Sequence, residues 1–166
     1  MYATVQALAL AFGTRELSQL LCDEQGLVSE PLLSDALNEI PLDGYTTEEQ
    51  AAIQRALLRA NTVLDRQSVF INGHLTGRYP LPLPLSASTS TPLQECCLAL
   101  TRAALSDDGD NLSELVAEER KFWRKWLKDI ETGKALLQGV NPTSLGGAEQ
   151  QRLTGQASSA INWNNY

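Results

Sequence analysis

Histidine occurs once in this chain, at position 74, and cysteine three times, at 22, 96 and 97. A Ser–His or Cys–His pair would have to be built on His74, and no nucleophile motif surrounds it. The cysteines are odd in number and Cys96 is adjacent to Cys97. That arrangement offers neither a disulfide framework nor metal-ligand spacing, and it fits a reducing compartment. No glycine-rich phosphate loop is present, since Gly146-Gly147 is followed by Ala148-Glu149 and not by Lys-Ser or Lys-Thr. No apolar run approaches the roughly 20 residues of a membrane span. Tyr2 to Phe12 has neither a basic leader nor a cleavage site and reads as part of the folded body. Bases are scarce beside acids: 13 Lys and Arg against 20 Asp and Glu, for a net charge of −7. Phosphate binding is driven by Lys and Arg, so general affinity for nucleic acid is not expected. The expectation is a protein with no catalytic residues, no cofactor, no metal and no membrane association.

What is present is helical patterning. The 166 residues accommodate one domain and a tail. A domain of about 130–150 residues buries roughly two-thirds of its unfolded surface, so its core needs no covalent or metal staple. Thr4 can cap a short helix from Val5 to Phe12, stopped by Gly13. Leu17, Leu20 and Leu21 give a second one after Thr14. Ser29 and Pro31 open a third, closed by Pro41 and Gly44.

Thr46 with Glu49, and Thr47 with Gln50, are overlapping capping boxes for the longest helix. Its stripe is Ile53, Leu57, Ala60, Leu64, Ile71 and Leu75, interrupted by Ser68. Gly73 and Gly77 predict fraying or bending near Asn72. Pro80, Pro82 and Pro84 alternate with leucines and predict an extended strap. Thr91, Pro92 and Gln94 predict the start of a strongly apolar helix reaching Leu105, with Cys96 and Cys97 pointing to different sides. Asn111 is the expected cap of a last helix that ends at Gly133, with acids in its first half and bases in its second. The fold class is therefore all-α: a compact bundle of about five or six helices with an extended C-terminal tail. The domain runs over residues 1–137, with 23–50 as an inserted helix. Residues 138–166 are poor in large apolar residues and read as a flexible interaction tail.

Two features offer interaction chemistry. Arg120 to Lys128 interleaves bases with aromatics. Helical spacing separates a basic row (Arg120, Arg124, Lys128) from an aromatic one (Phe122, Trp123, Trp126, Leu127). The arrangement fits an ordinary amphipathic helix with an aromatic inner face, a surface for an acidic protein partner, or a DNA-contacting helix. At the far end, Ile161, Trp163 and Tyr166 form a small apolar cluster on a polar tether. It suits either a disordered end or a peptide that docks on a partner.

The order of several short motifs resembles one family. The chain has Tyr2-Ala3-Thr4, Phe12-Gly13, Glu16-Leu17 and Leu20. It then has Ile71-Asn72-Gly73-His74-Leu75-Thr76-Gly77-Arg78-Tyr79-Pro80-Leu81-Pro82-Leu83, followed by Pro92 and by Trp126-Leu127-Lys128-Asp129-Ile130-Glu131-Thr132-Gly133-Lys134. This series is similar to that of the head–tail connector (neck adaptor) proteins of Mu-like tailed phages. The resemblance covers residues 2–20 and roughly 60–137. Residues 23–50 look longer than the family's usual linker, and the stretch after 138 is unmatched.

The resemblance implies an all-α structural subunit, not an enzyme. Such subunits form rings of about twelve copies between the portal and the tail or stopper protein. DNA would pass through the channel only as cargo, and an acidic lining would repel its phosphates. The location implied is the virion neck, and the host cytoplasm during assembly. Arg78 and Tyr79 would anchor the proline strap to the bundle or to a neighbour. Arg120, Arg124, Lys128, Ile161, Trp163 and Tyr166 are the further candidate contacts with another subunit or partner. The alternative from another class is a helical nucleic-acid-binding regulator acting through residues 120–128.

Overall fold

Side-chain caps start four of the six helices among the described residues. The computed structural model of the protein describes residues 1–22, 25–83, 87–106 and 113–143. Among these, Thr4, Ser29, Thr46 and Ser113 each accept a hydrogen bond from a backbone N–H in the first turn of the helix they precede. The helices are α1 (Val5–Phe12), α2 (Thr14–Leu21), α3 (Glu30–Leu37), α4 (Thr47–Leu75), α5 (Ala87–Leu105) and α6 (Glu114–Glu131). No strand occurs among the described residues, and the fold is all-α.

Gly13 ends α1 and begins α2 at φ +89, a turn that a residue with a Cβ adopts only with strain. Of the two overlapping boxes before α4, Thr46 and Glu49 form the complete one. Gln50 turns back instead, and its Nε2 donates to the carbonyls of Leu42 and Tyr45 at 2.8 and 3.0 Å.

Helix α5 lies at the centre, packed against α4 and α6 and touched by α1 and α2. Enclosure from several sides explains why Cys96 and Cys97 are both fully buried, although neighbouring residues on a helix point in different directions. Burial pushes the Cys96 thiol well above its ordinary range and raises that of Cys97. The small helices α2 and α3 pack against α4, and α1 bridges α2, α4 and α5. Arg102 of α5 ties three elements together. Its Nε donates to Glu16 at 2.5 Å, Nη1 lies 3.6 Å from Glu119, and the guanidinium sits 4.6 Å above the Phe12 ring.

Several local expectations are corrected. Helix α4 does not fray at Asn72 but runs through Gly73 to Leu75. Tertiary contacts override the weak glycine there: Tyr2 hydrogen-bonds Asn72, and His74 pairs with Glu131. Helix α5 starts at Ala87, and Pro92 lies inside it. Proline's fixed φ is itself helical, and near a helix start it removes one backbone bond. The cap of α6 is Ser113, an equally good capping residue; Asn111 lies outside the described residues. The proline strap is not one extended run, because the chain bends at Leu81 and Pro82, whose peptide bond is cis. Pro84 lies outside the described residues.

Candidate interaction surfaces

The motif stretches that are far apart in sequence meet at the C-terminal end of α4. Ser68, the polar break in the α4 stripe, accepts a hydrogen bond from the Tyr2 backbone N–H at 3.2 Å. One turn on, Asn72 accepts from the Tyr2 hydroxyl at 2.5 Å. The chain then turns tightly, and the N–H groups of Arg78 and Tyr79 both donate to the Leu75 carbonyl at 2.9 Å. That turn drops the Tyr79 ring into the core, where it is 2% exposed.

The end of α6 closes on this turn. Gly133 has φ +79, and a Cβ built there would overlap the Arg78 guanidinium. The Arg78 guanidinium thus occupies the space that a side chain at 133 would need, beside the carbonyl end of α6, where a cation is favoured. Beyond Gly133 the chain folds back over the turn. Leu137 N–H donates to the Tyr79 hydroxyl at 3.0 Å, and Thr143 N–H donates to the Arg78 carbonyl at 2.7 Å. Leu137 and Val140 are buried. Packed structure therefore continues to Thr143, past the boundary expected at 137, because the Arg78–Tyr79 turn supplies partners for a segment with few apolar residues of its own. Both Arg78 and Tyr79 anchor elements of their own chain. Replacing Tyr79 with Phe should leave the Leu137 N–H buried without a partner and cost about 1–3 kcal/mol. Proteolysis should then cut the 137–143 segment faster, and an unchanged cleavage rate would contradict this role.

A second clasp joins α4 to α6. His74 Nδ1 lies 2.5 Å from Glu131 Oε2, and Lys128 donates to the other Glu131 oxygen at 2.9 Å. The Lys128 and His74 contacts hold the Glu131 carboxyl below its usual 4.5. A lowered carboxylate pKa contributes stability above the unfolded value and loses it as pH falls through the folded value. Stability of the wild type should therefore drop more than that of Glu131→Gln between neutral pH and pH below 4.5. Parallel acid melts of the two proteins test this.

The basic–aromatic helix is phased differently from the expectation. Its inner face is aliphatic: Val116, Leu127 and Ile130 are buried against the body. Trp123 and Trp126 are half-buried at the rim, edge to face at 5.4 Å, and Phe122 is 60% exposed. Bulky rings with a polar N–H fit the rim, while compact aliphatics fill the gap to α5. Arg120 is half-buried and engaged in contacts of its own. Arg124 leans over the Phe70 ring at 5.7 Å, and Lys128 serves the Glu131 clasp. The fully outward basic row is Lys121, Lys125 and Lys128, with helical spacing. Sequence reading did not single out Lys121, Lys125 or Glu131, because the phase of α6 is set by its contact with α5. Ile161, Trp163 and Tyr166 lie outside the described residues.

Among the described residues, no group of three or more His, Cys, Asp or Glu side chains is placed to hold a metal ion. No described helix is long and apolar enough to cross a membrane. A family model described as bacteriophage Mu, Gp36 matches residues 2–153. The match runs through residues 23–50 and past 138, both of which sequence reading had set outside the resemblance. No curated protein matches the chain.

Proposed function

Because this chain belongs to the bacteriophage Mu Gp36 family, we propose that it is a structural subunit of the phage neck. In this reading it is a non-enzymatic head–tail adaptor. Its copies form a ring between the portal and the tail or stopper protein, around a channel for DNA. It would act in the virion neck and assemble there from the host cytoplasm.

The observation that carries the reading is the junction at the end of α4. The Tyr2 motif, the Gly77-Arg78-Tyr79 motif and the Gly133-Lys134 motif close on one another there. These are the residues on which the resemblance to neck adaptors rests. Their contacts tie the N-terminus, the end of α4 and the end of α6 together, which suits a part that must hold its shape under load. A net charge of −7 fits a channel component that must not retain DNA.

Infection with a phage lacking this chain tests the proposal. DNA-filled heads and finished tails should accumulate unjoined, and supplying the chain in trans should restore joining. Joined, infectious particles without the chain would sink the reading.

A further inference from the structure

The charges of this chain are sorted by position. From Glu16 to Gln54 there is no Lys or Arg, while Arg120 to Lys134 holds six of the 13 bases. The fold places the two sets at opposite ends. Glu48 begins α4, whereas Arg124 of α6 lies over Phe70 near its end. Those α4 positions are about 33 Å apart along the helix axis.

The α3–α4 corner carries exposed negative charge around an exposed apolar side chain, and the outer face of α6 carries an excess of bases around another. At the corner between α3 and α4, Glu39, Asp43 and Glu48 are exposed, and Ile40 is 47% exposed. None of these three carboxylates has a basic partner among the described residues. On α6, Lys121 and Lys125 flank Phe122. Lys125 has no acidic partner among the described residues, and Lys121 holds only the solvated Glu118 at 3.3 Å, a contact worth little.

Glu39 adds an independent sign. It sits at φ +56, a turn conformation suited to Gly or Asn. A glutamate there is strained, and its carboxylate makes no bond within the described chain that would compensate. A contact made by that side chain outside the subunit would offset the strain.

We propose that the outer face of α6 (Lys121, Phe122, Lys125) docks on the α3–α4 corner (Glu39, Asp43, Glu48) of a second copy of this chain. Two patches this far apart on a rigid body cannot meet within one subunit. Opposite charge brings the copies together, and Phe122 and Ile40 supply the desolvated centre. Two different patches in contact make a head-to-tail interface, which closes into a ring or continues as a filament. The inference deepens the adaptor reading by naming the contact between its copies.

The test uses the full-length chain and its association measured by light scattering over a concentration series. The wild type should self-associate at low ionic strength and less so as salt is added. Glu39→Lys, Asp43→Lys and Glu48→Lys together should abolish association, as should Lys121→Glu with Lys125→Glu. The two reversed proteins should associate when mixed, and one chain carrying all five changes should self-associate again. All five positions are exposed, so helix content should hold in every variant, with a small fall in melting temperature where Glu48→Lys opposes the dipole at the start of α4. Should one set disturb folding, Asp43→Asn with Lys125→Gln gives the same direction of effect in a neutral form. Overturning results are a monomeric wild type at low salt, unaffected association in either reversed set, or a five-fold variant that stays monomeric. In phage, reversed chains that still join heads to tails would overturn this contact alone and leave the adaptor reading standing.

Discussion

Replacing Leu127 with Ala should lower stability by about 2–5 kcal/mol. Replacing Trp126 or Trp123 with Ala should cost less, about 1–2 kcal/mol. The order runs against residue size. Leu127 is fully buried where α6 meets the body, so its removal leaves a cavity that rigid helices cannot collapse. The two indoles are half-exposed at the rim, where water fills the space they vacate. Urea titration is the measurement, with a shifted midpoint and an unchanged slope for all three variants. A larger loss for Trp126→Ala than for Leu127→Ala would mean that the inner face of α6 is aromatic.

Gly133→Ala should cost about 1–3 kcal/mol from the positive φ alone, and more from the displacement of Arg78. The added methyl would occupy the space of the Arg78 guanidinium. Expelling that side chain also loosens the turn that receives Leu137 and Thr143. Arg78→Ala in the same chain removes the overlap but not the backbone strain. The two changes together should therefore cost less than the sum of the single changes, as expected for groups in contact. Faster amide exchange at Leu137 in Gly133→Ala would locate the damage. Additive costs would show that Arg78 does not lie over Gly133.

Helix existence was legible in the sequence because capping is local chemistry. Thr4, Ser29 and the Thr46–Glu49 box each act within one turn, so no distant contact is needed to read them. What depends on partners was not legible. The last turns of α4 look weak at Gly73 but are held by Tyr2 and Glu131, many residues away in sequence. The phase of α6 was not legible either: the aromatic row read as its inner face lies at the rim once α5 is in place. Ser68 looked like a flaw in an apolar stripe and is the acceptor for the Tyr2 backbone N–H.

The junction was half legible. Arg78, Tyr79 and Gly133 stand out as motif residues, and Gly133 as a helix end. That the arginine lies on the glycine, with the tyrosine holding the segment beyond it, follows only from the fold. The two outward surfaces were least legible. Lys121 and Lys125 belong to the solvent side only once α6 is docked, and the Glu39 backbone conformation carries no local signature in its residue type.

Imaging of purified particles at the resolution of helices tests the central claim most directly. The account predicts a ring between portal and tail in which every subunit fits helices α1 to α6, with the Arg78–Gly133 junction intact. Necks whose density admits no such subunit, in particles from which the chain is absent by mass spectrometry, would contradict it.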